Sequence, residues 1–215
     1  MIAGQRLVAN DGYEVCLFPL SILYMTQDEG GDYSHQGTYN VDFVGSTAQA
    51  PLYAPVTMKV VGTSLSEAGG NNVKFESVNK VHLANGNLDY LTIEFSHDSN
   101  PPVTTIGQVV QQGDLCYHTG TYGYVTGDHV HTCAGEGHYS GIVSRPPYGW
   151  YDLANRIHYW DACYVNDTTI VQGYGHDWKT WTEPTPPPTV SKKHKFPFII
   201  AKHHWQGWRN PRMNK

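Results

Sequence analysis

"GDLCYHTGTYGYVTGDHVHTC", residues 113–133, contains two short strand-like segments separated by turns rich in glycine. The second segment places His129 and His131 one residue apart. Successive side chains of a β-strand point to opposite faces, so both imidazoles are predicted to project from one face while Val130 points away. This geometry suits a shared metal ion, a ligand beside a base, or an ordinary packed surface. With 12 histidines in the chain, the pair alone is a weak signal.

Segments of the same kind recur through the first 180 residues. They include "APVTMKVVG" (54–62), "NVKFESV" (72–78), "YLTIEFS" (90–96) and "TIVQGYG" (169–175), and "NGN" at 85–87 indicates a hairpin turn. Apolar and polar residues alternate clearly in "NVKFESV", which is typical of a half-buried strand. We therefore predict a mainly β fold, an antiparallel sheet arranged as a sandwich or half-barrel, with one short helix at "DLANRIH" (152–158).

The composition of the chain changes after Trp181. "TEPTPPPTV" (182–190) is rich in proline, which keeps the backbone extended. We predict a domain over 1–181, a linker over 182–191 and a basic aromatic tail over 192–215. The tail has seven of the fourteen Lys and Arg residues and none of the nineteen Asp and Glu residues. Two interpretations of it stay open: attachment to an anionic wall polymer or membrane surface, or a solvated tail. No nucleic-acid partner is expected.

The sequence shows no export signal. No apolar run approaches the ~18 residues of a membrane span, and acidic residues precede "VCLFPLSILYM" (15–25), where a signal peptide would be basic. We interpret this segment as a buried strand interrupted at Pro19. The four cysteines lie far apart without a CxxC pair, which favours free thiols. Cys133, on the same strand face as the histidine pair, is either a packing residue or an additional ligand. The four are Cys16, Cys116, Cys133 and Cys163.

Two upstream segments supply companions for the histidine pair. "YSHQGTYNVDF" (33–43) has His35 on a turn and Asp42 within a strand, and "LTIEFSHDSN" (91–100) ends a strand with His97. A zinc site takes nitrogen and oxygen donors from separate segments and, in an enzyme, leaves one position open for water. Three segments thus each bring an imidazole or carboxylate close to the end of a strand.

These segments, with "APLYAPVTMKVVG" (50–62) and "TIGQVVQQGDLCYHTGTYGYVTGDHVH" (105–131), resemble in order the motifs of the lysostaphin-like (LytM-type) zinc endopeptidases, which cut peptidoglycan cross-bridges. The likeness spans about residues 30–140. It implies a lysostaphin-like peptidase fold with a groove and one Zn²⁺ per chain, held by His35, Asp42 and His131. It also implies that His97 and His129 are the catalytic histidines.

The resemblance assigns chemistry to these histidines. His129 would take a proton from water and return it to the leaving amine, and His97 would hydrogen-bond the developing oxyanion or orient the water. Tyr33 would help to stabilise the oxyanion or pack in the structure. His118 would line the edge of the groove or lie on the surface.

The chain departs from the family pattern in two places. Asp42 lies seven positions after His35, where many members have a spacing of four, so the loop between them must bulge. Thr132 and Cys133 follow the histidine pair where many members have an aromatic residue, which changes the wall of the pocket.

The expected function is therefore zinc-dependent hydrolysis of amide bonds in the peptide stems or cross-bridges of bacterial peptidoglycan, causing lysis. Without an export signal, the expected setting is a phage endolysin made in the host cytoplasm and released by a holin. Two alternatives stay open: a cysteine-dependent wall amidase using Cys16, and a catalytically inactive wall-binding or virion structural module of the same fold. Which bond is cut has no readable code in the sequence.

Overall fold

Fifteen strands and one short helix form the regular structure of residues 1–185, the part of the chain that this computed structural model describes. In chain order the strands are β1 (Ile22–Gln27), β2 (Val41–Phe43), β3 (Pro51–Tyr53), β4 (Met58–Ser64), β5 (Asn72–Ser77), β6 (Val81–His82), β7 (Leu88–Asp89), β8 (Leu91–Ser96), β9 (Val109–Val110), β10 (Leu115–His118), β11 (Val130–Glu136), β12 (Ile142–Arg145), β13 (Trp150–Leu153), β14 (Arg156–Ile157) and β15 (Thr169–Gln172). The helix, α1, spans Tyr159–Ala162. Met1–Glu183 form one compact unit.

One large sheet organises this unit. Its strand order is β15-β1-β2-β11-β8-β5-β4-β9, and β14 also pairs with β11. The β1–β15 pair is parallel, and the other pairs of this sheet are antiparallel. Three two-stranded pairs complete the described strands: β3–β10, β12–β13 and β6–β7. The predicted mainly β, antiparallel architecture is confirmed, and the large sheet stays open at both edges.

The two faces of the large sheet differ in chemistry. On β5, Val73 and Phe75 point into the hydrophobic core, whereas Asn72, Lys74 and Glu76 point to the other face. All six residues of β5 are nevertheless buried. The core face is lined by aromatic and branched side chains, each worth roughly 1.5–3 kcal/mol when fully buried. The polar face forms the floor of a groove.

Strand register brings distant motifs onto that polar face. His131 pairs with Asp42 on β2 and with Ser96 on β8. Directly paired residues on neighbouring strands share one face of a sheet. The histidine at position 131, the carboxylate at 42 and the end of β8 therefore lie together, although up to 89 residues separate them in sequence.

The predicted helix at 152–158 is wrong. Residues 152–153 end β13, residues 156–157 form β14, and the helix begins only at Tyr159. Arg156 and Ile157 pair with β11, so the backbone of this segment is satisfied by the sheet. Asn155 sits in the turn between these strands, and its side-chain amide donates to the carbonyl oxygen of Glu136 at 3.0 Å. Pairing with a distant strand therefore overrides local helix propensity here.

Other local predictions have mixed outcomes. The "NGN" turn is confirmed: it joins β6 to β7, with Gly86 at φ +91°. In 15–25 the regular strand begins only at Ile22, and the buried residues before it make single bridges, such as Leu17 with Tyr164. All four cysteines are buried free thiols, and the sulfur atoms of Cys16 and Cys163 lie 3.3 Å apart.

Among the described residues, no helix has the length and hydropathy needed to cross a membrane. The predicted linker at 182–191 lies mostly outside the described residues, and the predicted tail at 192–215 lies wholly outside them. Both stay predictions.

Candidate active site

Three predicted ligands converge beside the groove, and two of them, Asp42 and His131, line it. The Nδ1 atom of His131 lies 3.0 Å from Oδ1 of Asp42, and Nε2 of His35 lies 3.3 Å from the same oxygen. The two imidazole nitrogens are 3.2 Å apart. Donors around a tetrahedral zinc ion, each bonded at ~2.1 Å, lie about 3.4 Å from one another. The group His35, Asp42 and His131 thus has the spacing and donor types of a three-residue zinc site.

The carboxylate at the centre of this group is held in its charged form. Burial by itself would raise the pKa of Asp42, but hydrogen bonds from His131 and His35, and their positive charge, outweigh burial and hold that pKa far below its usual range. Conversely, burial lowers the pKa of His131, and the neighbouring Asp42 more than compensates, so the pKa of His131 is raised. The site therefore presents an anionic oxygen to a cation at neutral pH.

The ring of His35 has one nitrogen available for a metal. Its Nδ1 lies 3.0 Å from the backbone oxygen of Asp28, and because a carbonyl oxygen only accepts, Nδ1 carries the hydrogen. The Nε2 atom faces Asp42 and His131, and in the neutral ring with its hydrogen on Nδ1, the form that would bind a metal, Nε2 offers a lone pair. A backbone carbonyl thus sets the tautomer that a metal ligand requires.

The long loop between His35 and Asp42 is supported by β13. The backbone nitrogen of Tyr39 donates to Oδ2 of the buried Asp152 at 2.9 Å. The side chain of Asn40 donates to the backbone oxygen of Tyr151, also at 2.9 Å. The long loop is therefore anchored on β13, and the two residues at its ends, His35 and Asp42, both lie in the three-residue cluster.

The segment before His35 is held by a stack of aromatic rings. Trp160 lies between the imidazoles of His158 and His176, with ring centroids 4.7 and 3.5 Å away. His176 contacts both carboxylate oxygens of Asp28 at 2.9 Å, and His158 contacts Oε2 of Glu29 at 2.6 Å. Burial raises the pKa of Glu29 to about 7. The sequence provided no motif for these residues, because their partners lie more than 120 positions away.

The two predicted catalytic histidines lie beside the cluster, with ring centroids 4.8 Å apart. The Nδ1 of His129 lies 2.9 Å from the backbone oxygen of Gly127, and the Nδ1 of His97 lies 2.8 Å from that of Tyr122. Both Nδ1 atoms therefore donate, and each neutral ring has Nε2 as an acceptor. Nε2 of His129 is 3.7 Å from Oδ1 of Asp42.

Burial, followed by the positive charge of neighbouring His131, lowers the pKa of His97 to about 4. His97 is thus neutral near pH 7, and its Nε2 accepts a hydrogen bond instead of donating one. Both roles predicted for this residue, orienting a water molecule and hydrogen-bonding an oxyanion, stay predictions.

The backbone of His97 is strained and tightly held. Its φ angle is +90°, a region that residues with a side chain rarely occupy. Its nitrogen donates to Gly70 at 2.7 Å, and its oxygen accepts from the nitrogen of Tyr122 at 3.0 Å. A Cβ atom on Gly70 would lie only 3.0 Å from Nδ1 of His97, and one on Gly120 would lie 2.0 Å from its backbone oxygen. Glycine at position 70 therefore leaves room for the ring of His97, and glycine at position 120 leaves room for its backbone.

The remaining sequence candidates lie in different surroundings. Tyr33 lines the groove and is 75% exposed. His118 is not among the described residues that line the groove. Its Nδ1 lies 2.8 Å from Oδ2 of Asp98, the buried residue that follows His97 in sequence. Cys133 is buried on β11 outside the three-residue group, and Cys16 is buried in the core beside Cys163.

The groove has a volume of about 590 Å³, and Asp42, His131 and the two predicted catalytic histidines are among the residues that line it. Aromatic residues on and near the β12–β13 hairpin form one wall: Tyr148, Trp150 and Tyr151. Lys74 and Glu94 lie on the floor. The alternation in β5 predicted that Lys74 would point away from the core, but the sequence did not single out either residue as part of a site.

The chain was compared with protein families, with curated proteins and with solved structures. No family model matches the chain. Over 170 residues, 79% of the chain, it is 35% identical to Morphogenesis protein 1 of Bacillus phage B103. The chain spans 45% of the length of that relative.

Three solved structures are similar to parts of this chain. A zinc-containing peptidase from Vibrio cholerae is 18% identical over 61% of this chain and 43% of its own, with a TM-score of 0.43. The catalytic domain of lysostaphin from Staphylococcus simulans is 21% identical over 57% of this chain and 80% of its own, with a TM-score of 0.37. The catalytic domain of the prophage-encoded M23 protein EnpA from Enterococcus faecalis, in a mutant form, is 20% identical over 59% of this chain and 90% of its own, with a TM-score of 0.43.

Proposed function

We propose that this chain is a zinc-dependent endopeptidase that hydrolyses amide bonds in the peptides of bacterial peptidoglycan. The observation that carries the proposal is the convergence of three donor atoms within 4.8 Å of one another, with two further histidines beside them that line a groove. The donors fit zinc: two imidazole nitrogens and one anionic carboxylate oxygen, drawn from separate segments. His35, Asp42 and His131 would hold the ion.

The residues around the metal ligands would handle protons. Zinc, when bound, supplies Lewis acidity toward a substrate carbonyl and toward water. Nε2 of His129 is free to accept a proton from water and to return it to the leaving amine. Nε2 of His97 is free to accept a second hydrogen bond from the same water and so to orient it. The Nδ1 hydrogen bonds to Gly127 and Tyr122 fix both rings in the tautomer that these roles need.

The substrate class is proposed from two lines of support. The groove beside the cluster has a volume of about 590 Å³ and is lined by aromatic side chains and by the charged Lys74 and Glu94. The motif resemblance to lysostaphin-like peptidases points to peptidoglycan as the source of that peptide. We propose that residues 1–181 form the catalytic domain, followed by a linker at 182–191 and, at 192–215, a segment that binds anionic wall polymer or membrane surface.

The relative from Bacillus phage B103 supports a phage origin. We propose two settings for the activity. One is the endolysin setting, with synthesis in the host cytoplasm and release to the wall through a holin. The other is a component of the phage particle, and the name of the relative, Morphogenesis protein 1, favours it. Mass spectrometry of purified phage particles distinguishes them, because only the second setting places the chain in the virion.

The activity is tested by digesting purified peptidoglycans of different cross-bridge chemistry and analysing the fragments by mass. Cleavage is expected to stop with a chelator and to survive thiol alkylation, which excludes an amidase that uses Cys16. The variant His129→Ala is expected to lose cleavage and keep zinc, whereas His131→Ala loses both. Intact peptidoglycan after incubation with zinc-loaded protein would instead identify a catalytically inactive module.

A further inference from the structure

We propose that Glu94 is a specificity-determining residue that binds a free primary amine on the substrate peptide, such as the unlinked side-chain amine of a diamino acid. This inference rests on the proposed function, because it assigns a binding subsite to the same groove. It concerns which peptides bind, and the chemistry of cleavage is unchanged by it.

Glu94 lies in the groove close to the metal-binding cluster. It sits on β8 two residues before Ser96, which pairs directly with His131. Residues i and i+2 of a strand share a face and lie about 6.8 Å apart. An extended substrate that lay along β8 would have the same spacing, so the side chain of a residue next to the cleaved bond would be within reach of Glu94.

The carboxylate of Glu94 lacks the partners that a shielded charge normally has. Its side chain is 14% exposed, and one oxygen lies 3.4 Å from Nζ of Lys74. Within the described part of the chain it accepts no hydrogen bond, although a carboxylate offers about four acceptor positions. Partial removal of this charge from water is costly, and a single ion pair without a hydrogen bond offsets little of that cost.

A second carboxylate in the same sheet shows the usual arrangement. Glu76 on β5 accepts from the backbone nitrogen of Tyr139 at 2.8 Å, lies 3.1 Å from Nδ1 of His138, and pairs with Lys59 at 3.3 Å. These partners hold its pKa below the usual range even though burial opposes them. Glu76 is therefore fully partnered within the protein and does not line the groove, whereas Glu94 faces it.

Lys74 is fixed by other contacts. Its ammonium donates to the side-chain oxygen of Asn72, whose amide donates to Oγ of Ser96 at 2.9 Å. Lys74 and Glu94 form an ion pair without net charge. This part of the groove floor therefore has no excess positive charge that would repel the ammonium group of a substrate. An ammonium from the substrate would supply Glu94 with charge-assisted hydrogen bonds, which are roughly twice as strong as neutral ones.

The test uses two peptides cut from peptidoglycan that differ only in one side-chain amine, free in one and acetylated in the other. Their dissociation constants are measured on zinc-loaded His129→Ala protein, so that binding is read without cleavage. We expect the free amine to bind about tenfold more tightly, a preference that weakens at high salt. The variant Glu94→Gln should lose this preference. Lys74→Met, which leaves Glu94 without its cation, should keep or increase it, and the matched control Glu76→Gln should not change it.

Equal binding of both peptides to the protein, or a preference that persists in Glu94→Gln, would overturn the inference. The same peptides incubated with the zinc-loaded parent chain test the proposed function separately. Absence of cleavage there, alongside a binding preference that depends on Glu94, would refute the peptidase and leave the amine subsite standing.

Discussion

Replacement of Gly70 by alanine tests how the position of His97 controls turnover. Gly70 adopts φ +59°, and a Cβ atom there would lie 3.0 Å from Nδ1 and 3.2 Å from Cε1 of His97. The left-handed conformation costs an alanine about 1–2 kcal/mol. The close contact must also move the ring by a few tenths of an ångström, which weakens the 2.8 Å hydrogen bond to Tyr122. Loss of about 1.4 kcal/mol at the transition state would lower kcat about tenfold.

Gly86→Ala provides the matched control. Gly86 also has a positive φ, +91°, but nothing lies within 4 Å of its added Cβ. Both variants should lose similar stability in thermal unfolding, and both should bind zinc like the parent chain. Only Gly70→Ala should show the lower kcat on a peptide that the parent chain cleaves. Equal kcat values for the two variants would show that the placement of His97 does not limit the reaction.

Two further predictions concern the surroundings of the cluster. Because the pKa of His97 falls from 6.5 to about 4 on folding, zinc-free protein should lose about 2 kcal/mol of unfolding free energy as the pH drops from 6.5 to 4. Denaturant titrations should show this loss missing from His97→Gln, and an identical pH slope in both proteins would contradict it. His176→Phe keeps a ring against Trp160 but removes the contact with Asp28, so zinc affinity should fall about tenfold in competition with a chelating dye. His82→Phe, whose partner is the remote Asp11, should bind zinc normally, and equal losses in both variants would rule out the positioning role.

The strands could be predicted from sequence because they follow a short-range pattern, and the candidate ligand group because ordered motifs joined that pattern to distant segments. Alternation in "NVKFESV" follows from the two-residue period of a strand, and it places Phe75 in the core and Lys74 toward the groove. The one-residue spacing of His129 and His131 follows the same rule. Ordered motifs then indicated which distant segments meet, and His35 and Asp42 do lie beside His131.

What the sequence could not reveal depends on contacts between remote positions. The segment around Asn155 reads locally as a helix, and only its pairing with β11 makes it a turn between strands. The contact of His176 with Asp28 spans 148 positions and belongs to no local pattern. Glu94 lines the groove with Lys74 as its ion-pair partner. The sequence does not show which partners this carboxylate has, because they come from other strands of the folded sheet.

Zinc titration of the purified protein tests the central claim most directly. The parent chain should bind about one Zn²⁺ per chain, as a site with three protein ligands requires. His35→Ala, Asp42→Ala and His131→Ala should each bind much less, while His129→Ala should still bind one. A parent chain that binds no zinc, or a His35→Ala variant that binds it with unchanged affinity, would contradict the account.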